Sequence, residues 1–79
     1  MEMFYTYILQ SDEDSYFYTG STNNLRRRIE EHNSGNVLST KKRLPLRLIY
    51  YEACMDETDA RRRENILRQL GENAILRAV

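Results

Sequence analysis

Three short stretches of the chain are rich in the aromatic, aliphatic and β-branched residues that favour strands. They cover residues 4–9, 16–19 and 46–53. Turn-forming residues separate the first two stretches, so these two are predicted to form a β-hairpin. A turn centred between residues 12 and 13 places Tyr7 opposite Tyr18, with both phenol side chains on one face of the sheet.

Two longer segments carry the signals of helices. Residues 21–23 are candidate N-caps for a helix through about Asn33, and Gly35 is expected to end it. Asp56 is a candidate N-cap for a second helix, which Gly71 is expected to end. The resulting order β-β-α-β-α predicts an α+β fold, in which helices flank a three-stranded, mainly antiparallel β-sheet.

The first predicted helix carries a charged residue on its apolar face. When its residues are projected at about 100° per residue, Leu25, Ile29 and His32 share one face. Arg28 lies within the same stripe, whereas the two arginines before it point elsewhere. Arg28 is therefore the member of the arginine triplet that is expected to face the sheet.

The second predicted helix repeats this arrangement with the opposite charge. Ala60, Leu67 and Leu70 mark its inward face, and Glu64 lies between them. A guanidinium and a carboxylate on inward faces are costly unless each is paired, hydrogen-bonded or bound to a metal ion. Both helices are therefore expected to bring a polar group that needs a partner.

Two interpretations of these inward charges stay open. In the first, Arg28 and Glu64 form a structural ion pair between the helices, or Arg28 extends to the rim. In the second, both residues belong to a polar site on the sheet surface, with Tyr7 and Tyr18 as its floor. His32 is open to the same two interpretations, as a buried histidine held by hydrogen bonds or as part of the site.

Composition limits the chemistry of such a site. The 79 residues are enough for one domain, spanning residues 1–79. Cys54 is the only cysteine and His32 the only histidine, so a zinc site built from these residue types is excluded. A bound metal would be a hard cation held by oxygen, such as Mg²⁺. No apolar run is long enough to span a membrane and the N-terminus lacks the layout of a signal peptide, so we expect a cytoplasmic protein.

The charges balance over the whole chain but cluster locally. Twelve basic and twelve acidic residues give a net charge of zero, which does not by itself indicate a nucleic-acid binder. Lys41, Lys42, Arg43 and Arg47 nevertheless form a run without an acidic residue. Such a run is usually a solvated face, and here it is also a candidate basic patch.

The order of short motifs along the chain resembles that of a GIY-YIG nuclease domain. The matching segments are Tyr7-Ile8-Leu9, Tyr18-Thr19-Gly20, and residues 25–28, 31–35 and 60–64. The resemblance extends from about residue 4 to residue 70 and is closest to the small bacterial stand-alone proteins of the YhbQ-like group. The first motif departs from the family pattern, because Tyr5-Thr6-Tyr7 lacks its glycine and isoleucine.

The resemblance implies roles for the residues of the hairpin. Tyr7 matches the tyrosine that ends the first motif, and Tyr18 matches the tyrosine that opens the second. Gly20 matches the second motif's glycine, where a side chain would crowd an approaching backbone, so it is implied to contact nucleic acid. In the family, a tyrosine helps to remove a proton from the attacking water, and the sequence leaves open which of the two does so.

On the helices, the resemblance implies that Arg28 stabilises the phosphate and that His32 occupies a position that is often histidine. Glu64 matches the single carboxylate that binds the divalent ion. The implied cofactor is Mg²⁺, or Mn²⁺ in its place. One protein carboxylate is a sparse ligand set, but Mg²⁺ commonly keeps several waters and adds substrate oxygens.

The implied function is that of a divalent-metal-dependent endonuclease domain that hydrolyses phosphodiester bonds in DNA, with branched or damaged DNA as candidate substrates. An alternative hypothesis is a nucleic-acid-binding module without catalysis, which uses the basic patch formed by Lys41, Lys42 and Arg43. A third hypothesis is a structural domain in which Arg28 and Glu64 only form an ion pair.

Overall fold

The elements follow one another in the predicted order β-β-α-β-α. The structure, a computed structural model, describes residues 2–78, with side chains described through Leu70. The elements are β1 (Phe4–Ser11), β2 (Phe17–Thr22), α1 (Leu25–Asn33), β3 (Leu46–Cys54) and α2 (Glu57–Ala78). The three strands form one antiparallel sheet in the order β2-β1-β3, so β1 is central and β2 is an edge strand. The predicted fold class is confirmed.

The register of the hairpin differs from the predicted one. Tyr7 lies opposite Gly20, and Tyr18 lies opposite Leu9, so the predicted direct pairing of the two tyrosines is wrong. The reason lies in the turn, where the Ser11 hydroxyl accepts hydrogen bonds from the two amides at residues 13 and 14. These bonds centre the turn one residue later than predicted. The two phenols stay on one face as diagonal neighbours, because the shift preserves the alternation of the strand.

The side chains of β1 alternate between two packed faces of the sheet. Tyr7 and Leu9 are buried on the face covered by α1, together with Leu46 from β3. Ile8 packs on the opposite face against Leu67 of α2. The central strand is therefore buried from both sides, and the two helices lie on opposite faces of the sheet.

Helix α1 begins later than predicted and ends where predicted. Its N-cap is Asn24, whose Oδ1 accepts a hydrogen bond from the backbone amide of Arg27 at 3.1 Å. The predicted N-caps at residues 21–23 are wrong, because β2 continues through Thr22 and the first two of these residues still pair with β1. At the other end, Gly35 adopts a φ of 79° and its amide donates to the carbonyl of His32.

Helix α2 begins as predicted but continues beyond the predicted end. Asp56 Oδ1 accepts the amide of Asp59 at 3.1 Å, as expected of an N-cap. The helix then runs through Gly71 to Ala78, so the predicted stop at Gly71 is wrong. One glycine inside a helix costs about 1 kcal/mol relative to alanine, which is too little to end the helix by itself. Leu70, predicted to face inward, is 56% exposed.

Neither α1 nor the described residues of α2 form a helix with the length and apolar character needed to cross a membrane.

Substitution by alanine should change the stability in opposite directions at the two glycines that were predicted to end helices, Gly35 and Gly71. We expect Gly35→Ala to lower the free energy of unfolding by about 1 kcal/mol, because alanine is strained at positive φ. We expect Gly71→Ala to raise it by about 0.5–1 kcal/mol, because alanine favours a helix interior. Urea denaturation measures both changes. Destabilisation by Gly71→Ala would show that the helix ends at residue 71 after all.

Candidate active site

Three hydrogen-bonded side chains form the buried part of the candidate site. His32 on α1 is completely buried, and its Nε2 lies 3.0 Å from the hydroxyl of Tyr7 on β1. Its Nδ1 lies 2.8 Å from the hydroxyl of Thr40, which is equally buried in the segment after α1. Both ring nitrogens therefore have a partner, and the imidazole is held in one orientation.

Burial keeps both Tyr7 and His32 uncharged at neutral pH. Loss of contact with water raises the pKa of Tyr7 to about 12, and the neighbouring Arg28 only partly opposes this shift. Burial also lowers the pKa of His32 to about 4, and the positive charge of Arg28 acts in the same direction. A neutral imidazole has one donor and one acceptor nitrogen, which suits its two hydroxyl partners.

Tyr18 supplies a second phenol beside this pair. Its ring centroid lies 4.8 Å from that of His32 and 6.3 Å from that of Tyr7. The Tyr18 ring is only partly buried, and within the described residues no buried polar side-chain atom lacks a hydrogen-bond partner. Since the hydroxyl of Tyr18 makes no hydrogen bond to that part of the chain, it is open to solvent. The two phenols therefore differ in their access to water.

Arg28 lies at the rim of the cluster. Its Nη1 donates to Glu31 Oε1 at 3.0 Å, one helical turn later on α1. Burial alone would lower the pKa of Arg28, but the bond to Glu31 and the proximity of Tyr7 raise it above its ordinary value. The guanidinium therefore stays positively charged next to the phenols, with about one third of its side chain exposed.

Gly20 on β2 leaves the space that Tyr7 occupies. A Cβ atom at position 20 would lie 2.6 Å from the Tyr7 hydroxyl oxygen and 3.1 Å from Cε2 of Tyr18. The first distance is well below van der Waals contact, so a side chain at residue 20 would displace Tyr7, and the second would require Tyr18 to move by only a few tenths of an ångström. The contact of Gly20 with nucleic acid stays a prediction, and the neighbour found in the structure is Tyr7.

Glu64 reaches the site from α2, on the other face of the sheet. Its Oε1 accepts a hydrogen bond from the Ser21 hydroxyl at 2.7 Å, and its Oε2 is paired with Arg68. The ion pair between Arg28 and Glu64, one form of the first open interpretation, is wrong, whereas its other form, in which Arg28 extends to the rim, agrees with the partial exposure of Arg28. Among the residues with described side chains, each of the two has found a partner on its own helix.

The site is arranged around the β2 edge of the sheet. The Tyr7 hydroxyl lies over Gly20 on the α1 face, and the Glu64 carboxylate binds Ser21, the next residue, on the α2 face. Besides burial, the negative charge of Glu64 contributes to the raised pKa of Tyr7, so the two groups interact electrostatically. The predicted site on a single sheet surface is thus replaced by one that both helices approach from opposite sides.

The predicted basic patch borders this site only in part. The segment begins directly after Thr40, the buried partner of His32, and both Lys41 and Lys42 are exposed. Arg43 is instead bound to Asp14 at 2.5 Å and lies 3.8 Å above the ring of Tyr16, at the hairpin turn. Within the described part of the chain, the two lysines make no ion pair and Arg43 does.

Three residues of the site were missed by the sequence analysis. Ser21 was considered only as an N-cap, and Thr40 and Arg68 were not considered at all. Thr40 lies in a segment without helical or strand periodicity, so no pattern reports that its side chain is buried. Arg68 follows Glu64 by four residues, a spacing at which opposite charges on a helix meet, and this signal was available.

The oxygen donors fit a hard divalent cation with one protein carboxylate. Glu64 and the Ser21 hydroxyl offer oxygen atoms at the β2 edge, and the Glu64 side chain is 18% exposed. The described residues contain no group of three or more histidine, cysteine, aspartate or glutamate side chains that could hold a metal. Mg²⁺ and Mn²⁺ tolerate such a sparse set because they keep water ligands, whereas a closed structural zinc site does not.

An open groove lies elsewhere on the α1 face. It has a volume of about 760 Å³ and is lined by residues that include Tyr5, Tyr51, Leu25, Arg26 and Ile29. None of the site residues predicted from the sequence lines it. The groove lies between the first turns of α1 and the strands β1 and β3.

Comparisons with known proteins give results that agree with one another. The model of the GIY-YIG catalytic domain matches residues 3–74. A UPF0213 protein of Desulfotalea psychrophila is 43% identical over 68 residues, which cover 84% of this chain and 61% of that protein. A UPF0213 protein of Clostridium perfringens is 38% identical over 78 residues, which cover 98% of this chain and 83% of that protein.

A solved structure has a similar fold. The solution structure of a UPF0213 protein from Bacillus halodurans superimposes with a TM-score of 0.60 at 32% sequence identity. The superposition covers 96% of this chain and 81% of that one. The similarity therefore extends over all five elements described above.

The buried neutral His32 should make stability depend on pH. In the unfolded chain a histidine takes up a proton near pH 6.5, whereas in the folded protein the pKa of His32 is about 4. The free energy of unfolding should therefore fall by up to about 3 kcal/mol as the pH decreases from 6.5 to 4. Urea denaturation at several pH values measures this slope.

His32→Gln is the control for that slope. His32 is the only histidine, so the substitution removes its titration and leaves the carboxylates unchanged. The variant starts from a lower stability, because it loses buried hydrogen bonds, but its stability should change much less between pH 6.5 and 4.5. Equal slopes in the two proteins would show that His32 is not kept neutral by the fold.

Proposed function

The chain belongs to the GIY-YIG catalytic domain family, which implies a nuclease-type function, and on that premise we propose that it hydrolyses phosphodiester bonds of DNA with the help of a divalent metal ion. The observation that supports this proposal is the arrangement at the β2 edge. Two phenols lie against Gly20 on one face of the sheet with Arg28 beside them, and a carboxylate binds Ser21 on the other face.

Arg28 is the group that stabilises the phosphate in this proposal. Its charge is permanent, and its bond to Glu31 is a half-exposed pair between neighbouring turns of one helix. Pairs of this kind contribute only about 0–1 kcal/mol, so the guanidinium can exchange Glu31 for a phosphate oxygen at low cost. A fixed donor aimed at the charge that grows on the phosphoryl oxygens is among the strongest catalytic contributions.

We assign to Tyr18 the role of accepting a proton from the attacking water. Its hydroxyl is open to solvent, whereas the Tyr7 hydroxyl is buried and bound to His32. A tyrosine accepts a proton from water only as the phenolate, after its own proton has passed to solvent, and nearby positive charge favours that form. Arg28 is close enough to interact electrostatically with Tyr18, and it supplies such a charge.

Tyr7 and His32 are positioning residues in this assignment. Burial holds the pKa of Tyr7 at about 12 and that of His32 at about 4, so neither gains or loses a proton readily near pH 7. Their hydrogen bond fixes the Tyr7 ring against Tyr18, and Thr40 fixes the imidazole from behind. The pair thereby keeps the Tyr18 ring in place.

Glu64 is the residue that would hold Mg²⁺ or Mn²⁺. When bound, such an ion supplies positive charge to the leaving oxygen of the phosphodiester. Ser21 keeps one oxygen of the carboxylate directed at the β2 edge. We assign the exposed Lys41 and Lys42, which directly follow the buried Thr40, to contacts with the DNA backbone beside the site.

The proposal predicts metal-dependent cleavage that requires Glu64. Linear, flapped and branched DNA duplexes should be incubated with and without Mg²⁺. We expect cleavage only with the metal ion, and we expect Glu64→Gln to reduce its rate by at least about 100-fold. Glu57→Gln is the matched control, because Glu57 lies on the same helix, is exposed and pairs with Arg61.

Robust cleavage by the Glu64→Gln protein would contradict the proposal. Absence of cleavage by the wild type on every substrate would favour the alternative of a binding module. In that case binding should weaken steeply with salt, and replacement of Lys41 and Lys42 should reduce this salt dependence.

The two phenols should be separable by substitution with phenylalanine. We expect Tyr18→Phe to reduce the cleavage rate by about 100-fold with little change in stability, because its hydroxyl makes no hydrogen bond to the residues whose side chains are described. We expect Tyr7→Phe to cost about 1 kcal/mol of stability through its lost bond to His32. Tyr51→Phe, an exposed tyrosine in the groove, is the control. Wild-type cleavage by Tyr18→Phe would overturn the assignment.

A further inference from the structure

The Glu64 carboxylate is bound on both of its oxygens before any metal ion arrives. Ser21 Oγ donates to Oε1 at 2.7 Å, and Arg68 Nη2 donates to Oε2. The same Nη2 also donates to the backbone carbonyl of Thr19 on β2 at 2.8 Å. Arg68 therefore connects the carboxylate of α2 with the edge strand of the sheet.

This arrangement differs from an ordinary surface pair on a helix. The pair of Arg61 and Glu57 has the same spacing on the same helix, but its atoms are 3.4 Å apart and both side chains are mostly exposed. Glu64 is largely shielded from water, and Arg68 has a second, backbone acceptor that fixes its position. Although the Arg68 side chain is 56% exposed, its bonds to Glu64 and to the carbonyl of Thr19 hold its charge at the carboxylate.

A guanidinium held at this position opposes a metal ion. A carboxylate has about four lone-pair sites, so a bound Arg68 leaves room for a cation on the remaining ones. The two positive charges would then lie within a few ångströms of each other and repel. Ser21 has no charge, so its bond directs Glu64 without that repulsion.

We propose that Arg68 is the counter-ion of Glu64 in the absence of metal. Arg68 shields the carboxylate and keeps it at the β2 edge, and its positive charge opposes the binding of a divalent ion. Ser21 is the residue that positions the carboxylate for that ion. This inference rests on the proposed function, because it takes Glu64 as the metal ligand. Arg68 is thus expected to lower the affinity for the metal ion, whereas a residue that helps to hold the ion would raise it.

Mn²⁺ binding to the metal-free protein tests the inference without any measurement of cleavage. The concentration of free Mn²⁺ is read from its electron paramagnetic resonance signal during a titration. We expect Arg68→Met to bind Mn²⁺ about 3- to 10-fold more tightly than the wild type, because a nearby positive charge is removed. Arg68→Lys, which keeps the charge, should stay close to the wild-type affinity.

Two further variants separate the causes. Arg62→Met is the matched control, because it removes the same charge from an exposed arginine of α2 that pairs with Asp59 and not with Glu64. Its affinity for Mn²⁺ should remain that of the wild type. Ser21→Ala should weaken binding, since Glu64 loses the bond that directs it. Urea denaturation of each variant verifies that it is folded under the conditions of the titration.

The outcomes distinguish this inference from the proposed function. If Mn²⁺ binds the wild type but not Glu64→Gln, and Arg68→Met binds it equally well or more weakly, the role of Arg68 is overturned and the proposed function is unaffected. If Arg68→Lys binds as tightly as Arg68→Met, the charge is not the cause and the inference also fails. If the wild type and Glu64→Gln bind Mn²⁺ equally, the metal site of the proposed function itself is contradicted.

Discussion

The close approach of Tyr7 to Gly20 is the constraint on which the rest of the site depends. A Cβ atom at residue 20 would lie 2.6 Å from the Tyr7 hydroxyl, so any side chain there would displace the Tyr7 ring or the strand. The register that pairs these residues also places Tyr18 diagonally beside Tyr7 and directs Ser21 to the other face. One glycine therefore fixes the relation between the phenols and the hydroxyl that binds Glu64.

The fold separates the neutral polar groups of the site from the charged ones. Tyr7, His32 and Thr40 are buried, and their hydroxyl and imidazole groups satisfy one another, which avoids the cost of unpaired polar atoms in the interior. Arg28 lies at the rim, where water screens its charge in part, and the less exposed Glu64 is bound by Ser21 and Arg68. The rigid part of the site is thus uncharged, and the charged part stays accessible to an ionic substrate.

Patterns within single segments of the sequence predicted much of this structure, and contacts between segments decided the rest. Asp56, Gly35 and the inward direction of His32 follow from patterns within one helix, and each was predicted correctly. The hairpin register depended on the hydrogen bonds of the Ser11 hydroxyl, and the N-cap of α1 depended on how far β2 pairs with β1. No periodicity within one segment reports such contacts, and none reports that α1 and α2 lie on opposite faces.

The ion-pair partners of Arg28 and Glu64 decide how easily these two residues can bind another ion instead. An Arg28–Glu64 pair would have joined residues from two helices across the sheet, and its rupture would have left charges without partners between packed elements. Each residue instead pairs within one turn of its own helix, Arg28 with Glu31 and Glu64 with Arg68. The partly exposed pair of Arg28 and Glu31 contributes about 0–1 kcal/mol, so Arg28 can exchange its partner while the sheet and the helices stay packed. A site that must accept a phosphate and a cation together needs this freedom in its charged groups, and the buried neutral groups can provide its rigidity.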